Sequence, residues 1–125
     1  MKLLLDTHTL LWFLAGESKL RISAREAILN PGSRVWVSAV TGLEIAIKSA
    51  LGKLRLPATL PQVMRGNGFH ELPMSMEHAL YLTHLPPHHA DPFDRVLIAQ
   101  AAVEGLTLVT ADSRLARYPI AILPA

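Results

Sequence analysis

The stretch Lys2-Leu3-Leu4-Leu5-Asp6-Thr7-His8-Thr9-Leu10-Leu11-Trp12-Phe13-Leu14-Ala15 decides the fold class. Lys2 to Leu5 is an apolar run too brief for a helix, Asp6 to Thr9 is polar, and Leu10 to Ala15 is apolar again. This pattern predicts a buried strand, a polar connection at its carboxyl end, and then a helix. A lysine followed by leucines is also how a secretory signal begins. Here Asp6 and His8 interrupt the apolar run and no small-residue cleavage site follows Gly16, so the segment is expected in the mature chain.

Outward from this stretch the alternation repeats. Ser23 is suited to cap a helix over Ala24 to Leu29, with Glu26 as capping-box partner and Asn30-Pro31-Gly32 as its stop. Val35-Trp36-Val37 reads as a second strand, Ser38 as the cap of a longer helix reaching about Leu51, and Gly52 as its stop. A weaker helix over Leu60 to Arg65 lies between Pro57 and Gly66; Phe69 to Leu72 reads as a third strand and Ser75 to Leu82 as a short helix. Asp91-Pro92 is the clearest start signal, an N-cap aspartate with proline in the first helical position, and its helix runs to about Glu104 before Gly105. A strand at Leu106 to Val109, a helical turn at Ser113 to Ala116 and a last strand at Ile120 to Leu123 follow. Short apolar strands alternating with helices predict an α/β protein with a central, mainly parallel sheet flanked by helices. Such sheets bind ligands beyond the carboxyl ends of their strands.

Composition narrows the function classes. The 125 residues are expected to form one domain over 1–125, and with 50% of them apolar the chain can bury a sizeable core. A net charge of +2 excludes a polycation that coats nucleic acid. The absence of Cys excludes a disulfide scaffold, thiol catalysis and Cys-ligated metal, and suits a cytoplasmic location. No run approaches the roughly 18 consecutive apolar residues of a membrane span. A soluble protein with no membrane partner is therefore expected.

Four acids stand where a solvated charge is not expected: Asp6, Glu44, Asp94 and Asp112. Asp6 directly follows three leucines and projects from the carboxyl edge of the sheet, where it also suits an N-cap. Glu44 falls on the helical stripe of Val40, Ile47 and Leu51, and a charge there needs a partner, for which Lys48 stands four residues on. Asp91 and Asp94 together fit an N-cap followed by a first-turn acid, yet Asp94 shares its face with Leu97, Ile98 and Ala101. Asp112 lies three residues past a predicted strand and also suits a cap. Each acid alone has a local explanation. Together, two strand ends and two first helical turns of a parallel sheet can converge on one cavity, where like charges require a cation. Oxygen ligands without thiols select hard ions, Mg²⁺ or Mn²⁺. A carboxylate-held ion keeps positions open for water and phosphate oxygens, the arrangement of in-line phosphodiester hydrolysis.

Leu5-Asp6-Thr7, Leu43-Glu44-Ile45, Asp91-Pro92-Phe93-Asp94-Arg95 and Thr110-Ala111-Asp112, in this order, resemble the PIN domain and, more narrowly, the VapC-type toxins. The resemblance covers essentially the whole chain, including Glu44-Ile45-Ala46-Ile47-Lys48 ahead of Gly52-Lys53-Leu54 and Leu97-Ile98-Ala99-Gln100-Ala101 after the paired aspartates. It implies a three-layer fold and an Mg²⁺-dependent ribonuclease, with Mn²⁺ as a substitute, that leaves a 5′-phosphate. It further implies the toxin of a type II toxin–antitoxin pair, a homodimer or larger toxin–antitoxin assembly inhibited by a small antitoxin inserted into the site. The family's acidic quartet falls on Asp6, Glu44, Asp94 and Asp112, with Asp91 as a candidate fifth metal ligand. By the same resemblance Asp6 and Asp94 are the main ligands of a first ion and Glu44 a direct or water-mediated one. Asp112 then serves a second ion or orients the nucleophilic water, to which Thr110 hydrogen-bonds. The sequence leaves open whether one or two ions bind.

Candidates for holding RNA are Lys48, Lys53, Arg55, Arg95 and Arg114, with Arg95 foremost; ordinary solvated helix charges are the alternative reading. His84 and His88 have helical spacing, but Pro86-Pro87 break a helix there and no tetrahedral ligand set is completed before Asp91. His84, His88 and His89 therefore read as a polar loop beside the site. His8 either approaches substrate or is an ordinary side chain at a helix start. The helix of Trp12 and Phe13 is apolar on nearly all sides, which predicts full burial or a face shared with a second copy. Trp36 reads as core. Two other classes fit some features. Asp6-Thr7-His8 is superficially similar to the haloacid-dehalogenase phosphatases, which need a second Asp where His8 stands. A non-catalytic RNA-binding or interaction module of the same fold is the other, against which four retained acids argue.

Overall fold

A computed structural model describes residues 1–55 and 59–125. Pro57, expected to precede a helix, lies outside the described residues. The elements in chain order are β1 (Lys2–Leu5), α1 (Thr7–Ala15), α2 (Ile22–Leu29), β2 (Arg34–Ser38), α3 (Ala39–Ala50), α4 (Leu60–Gly66), β3 (His70–Leu72), α5 (Met76–Tyr81), α6 (Pro92–Glu104), β4 (Thr107–Thr110) and β5 (Ile122–Pro124). Single 3₁₀ turns lie at Leu82–His84 and Ser113–Arg117.

The five strands form one sheet in the order β3-β2-β1-β4-β5, and every pairing is parallel. β1 is central because its leucines have no polar alternative: Leu3, Leu4 and Leu5 are completely buried. The two-residue period of a strand divides them between two cores. Leu3 and Leu5 pack with Leu10, Phe13 and Ile45 on one face, and Leu4 packs with Leu97, Ile98 and Leu108 on the other. Helices thus cover both faces, giving the expected three layers. From β1 the chain builds outward to β2 and β3, then returns to add β4 and β5 on the opposite side. The direction reverses between β1 and β4, and a crevice opens beyond the carboxyl ends of these strands.

Several local expectations shift. Helix α2 begins at Ile22 after Arg21, which makes no side-chain cap, so the Ser23–Glu26 capping box is not formed. Strand β4 starts at Thr107 because the Leu106 N–H is spent on the Ala101 carbonyl, closing α6 around Gly105 in the left-handed conformation (φ 67°) that favours glycine. The Ile120 N–H bonds back to Tyr118 in a tight turn, so β5 starts at Ile122. The buried side of α3 consists of Val40, Thr41, Glu44 and Ile45, whereas Ile47 and Leu51 are 42% and 63% exposed. Glu44 therefore does not share a buried stripe with those two residues. Leu10 and Phe13 of α1 are buried while Leu11, Trp12 and Leu14 are half-buried, which excludes full burial of that helix within one chain. Trp36 is partly buried over the second core, its ring 5.4 Å from that of His70. No helix among the described residues is long and apolar enough to cross a membrane.

Candidate metal centre

Each acid of the crevice is brought there by a helix start. Asp6 ends β1 and caps α1, accepting the Thr9 N–H at 2.9 Å. Ser38 ends β2 and caps α3 by accepting the Val40 N–H, which sets Glu44 in the second turn facing α1. Glu44 is 4% exposed; its carboxylate accepts the Thr7 hydroxyl and the Lys48 ammonium. Asp91 caps α6 through the N–H groups of Phe93 (2.9 Å) and Asp94 (3.2 Å), leaving Asp94 in the first turn. Asp112 follows β4 and caps the Ser113–Arg117 turn through the Arg114 N–H. The result is one cavity of about 280 Å³ lined by Asp6, Thr7, His8, Trp12, Glu44, Lys48, Asp91, Asp94, Ala111, Asp112 and Arg114.

The charges in this cavity are unequally compensated. Lys48 pairs with Glu44, and that hydrogen bond raises the Lys48 pKa against the opposing effect of burial. Arg114 forks onto Asp112 with contacts of 3.0 and 2.8 Å, holding its carboxyl below the usual range while its own pKa rises in return. Asp94 moves the other way. Burial pushes its pKa up, Asp91 and Asp6 add repulsion, and a hydrogen bond from His89 pulls only part of it back. Among the described residues, Asp6 and Asp91 have no ion-pair partner. The two cations that line the cavity, Lys48 and Arg114, are thus engaged by Glu44 and Asp112, and neither forms an ion pair with Asp6, Asp91 or Asp94 among the described residues. The carboxylate oxygens of the cavity suit a hard divalent cation.

The quartet and Asp91 are brought together as expected, and Lys48 and Arg114 line the same cavity. Arg95 is not there. Its guanidinium donates to the carbonyls of Pro86 (3.1 Å), His89, Leu82 and Leu85 and to the Tyr118 hydroxyl, so it fastens the loop before α6 and does not line the cavity. Arg95→Met leaves these carbonyls without a charged donor and is expected to destabilise the fold by about 1–3 kcal/mol, read by urea unfolding; unchanged stability would contradict the clamp. Thr110 is buried and its Oγ1 accepts the Asp112 N–H at 3.1 Å, supporting Asp112 from behind the cavity. Lys53 is exposed, and Arg55 lies in a separate groove with Leu11 and Trp12. His8 lines the cavity at the position where a phosphatase of the haloacid-dehalogenase type carries its second Asp. His88 packs on Tyr118, and His84 on Tyr81. His89 alone of that trio reaches the acids, 2.9 Å from Asp94. Its position past two prolines gave no periodicity from which to predict this contact.

A parallel sheet with carboxylates gathered where its strand order reverses defines an α/β protein with an acidic cavity at that edge. The chain belongs to the PIN domain family, whose model matches residues 3–121. Among solved structures it is similar to VapBC2 from Rickettsia felis bound to a promoter DNA fragment, at 14% identity and a TM-score of 0.74 over 100% of this chain and 99% of that one. DNA-bound VapBC from Salmonella typhimurium matches at 21% identity and a TM-score of 0.69, covering 99% and 98% of the two chains. FitAcB from Neisseria gonorrhoeae matches at 19% and 0.68, covering 97% and 96%. No curated protein matches the chain.

Proposed function

We propose that this chain is a divalent-metal-dependent endoribonuclease and the toxin of a toxin–antitoxin pair. The observation that carries the reading is the convergence of five carboxylates on one cavity whose two lining cations, Lys48 and Arg114, pair with Glu44 and Asp112. Similarity to solved VapBC structures and to a toxin–antitoxin complex from Klebsiella pneumoniae supports the biological setting.

In this reading Asp6 and Asp94 would be the main ligands of Mg²⁺ or Mn²⁺, and Glu44, Asp112 and Asp91 of the same cavity would assist them. When bound, the ion supplies charge to the scissile phosphate and makes a water acidic enough to attack at neutral pH. Lys48 and Arg114 offer cationic donors to the phosphate oxygens, and their pairing with Glu44 and Asp112 keeps them at the cavity in the absence of RNA. Asp112 accepts a hydrogen bond from the attacking water, and Thr110 keeps Asp112 in line through its backbone N–H. Two protein partners belong to the same reading: a second copy of the chain, and a cognate antitoxin that blocks the cavity. Half-exposed Leu11, Trp12 and Leu14, which border a groove beside the cavity, support such a contact. The activity is expected in the cytoplasm.

Chemistry at the ends of the cut tests the mechanism. Hydrolysis by an attacking water leaves a 5′-phosphate and a 3′-hydroxyl, so fragments made by the purified chain in Mg²⁺ are expected to ligate without further treatment. Fragments carrying 2′,3′-cyclic phosphates would show attack by the RNA's own 2′-hydroxyl and overturn the proposed role of the acids.

A further inference from the structure

We propose that His89 is a nitrogen ligand of the ion in this cavity, making the centre a mixed imidazole–carboxylate site that favours Mn²⁺ over Mg²⁺. The inference rests on the reading of the acids as a metal centre and adds to it a residue outside the carboxylate set. His89 Nε2 lies 2.9 Å from Asp94 Oδ2 and 3.8 Å from Asp112 Oδ2, and one donor atom from each of these three residues lies within 4.8 Å of the other two. Adjacent donors on an octahedral ion with bonds of about 2.1 Å stand about 3 Å apart. The His89–Asp94 separation is that of two neighbouring ligands.

The imidazole is also built into place. Its side chain is 8% exposed, and the loop that carries it is fastened from behind by Arg95, which holds the carbonyls of Pro86 and of His89 itself. An imidazole fixed beside two carboxylates changes which ion is preferred. Mg²⁺ binds oxygen and gives up its waters reluctantly, whereas Mn²⁺, although the weakest nitrogen binder of the first-row transition ions, is one of them and accepts an imidazole more readily than Mg²⁺ does.

Mn²⁺ is the probe, because its electron spin reports a directly bound nitrogen. Binding of Mn²⁺ and of Mg²⁺ is measured by calorimetry, and pulsed EPR is recorded on the Mn²⁺-loaded full chain, for the wild type, His89→Gln and His88→Gln. His88→Gln controls for loop damage, since His88 packs on Tyr118 away from the acids. The wild type and His88→Gln are expected to show nitrogen modulation. His89→Gln is expected to lose it, with Mn²⁺ affinity falling roughly tenfold or more and Mg²⁺ affinity changing less. Equal or tighter Mn²⁺ binding by His89→Gln would mean that the imidazole merely stands in for the ion, overturning this inference while leaving the metal centre intact. Failure of the wild type to bind Mn²⁺ at all would overturn the metal centre itself.

Discussion

Asp94→Asn is expected to remove RNA cleavage while leaving the metal-free fold as stable as the wild type or slightly more so. The carboxylate proposed to hold the ion is also one whose charge the fold disfavours: burial and the neighbouring Asp91 and Asp6 raise its pKa. Replacing it by an amide relieves that repulsion and keeps a polar group beside His89. An ion that stabilises transition-state charge by about 4 kcal/mol is worth roughly a thousandfold in rate, so a loss of that order or larger is expected in cleavage assays. Added Mg²⁺ is expected to raise the melting temperature of the wild type, by up to about 2.7 kcal/mol of stabilisation at a hundredfold excess over Kd, and to do little for the variant. Destabilisation of the variant by several kcal/mol would instead make Asp94 a structural acid.

Ile98→Ala, one turn further along the same helix, is expected to behave in the opposite way. Ile98 is completely buried and packs with Leu4, Leu97 and Leu108 between α6 and the sheet. Truncation leaves a cavity that costs about 2–5 kcal/mol, a large part of the 5–15 kcal/mol typical of a domain. The melting temperature should fall by roughly 10 °C. Below that transition the folded fraction is expected to bind Mn²⁺ with near wild-type affinity, because no metal-site side chain has changed. Loss of metal binding without loss of stability would show that Ile98 serves the metal site and not the packing of α6 on the sheet.

The sequence carried the sheet and the quartet because both depend on local signals. Three leucines followed by an aspartate, a serine before a long helix, and Asp-Pro at a helix start each specify a strand end or a cap, and a parallel sheet gathers such ends at one edge. Capping and site membership also prove compatible: Asp6, Asp91 and Asp112 cap helical turns and line the cavity at once. The less legible features depend on distant partners. Helical periodicity grouped Glu44 with Ile47 and Leu51, yet the side of α3 that is buried carries Val40, Thr41, Glu44 and Ile45 and meets Thr7 of α1, a partner distant in sequence. Arg95 adjoins the acid motif in sequence, but four backbone carbonyls and a tyrosine hydroxyl, invisible in a residue pattern, turn it away. The same loop delivers His89 to Asp94, a contact set by backbone path and not by spacing.

The most direct test of the acidic centre as a nuclease site is the rate of cleavage of labelled structured and unstructured RNAs by the purified chain, in Mg²⁺ and in EDTA, beside identically prepared Asp94→Asn. Cleavage that requires both the metal and Asp94 is the predicted result. Cleavage that persists in EDTA or in the variant, or no cleavage of any RNA by a wild-type chain shown to bind metal, would contradict it.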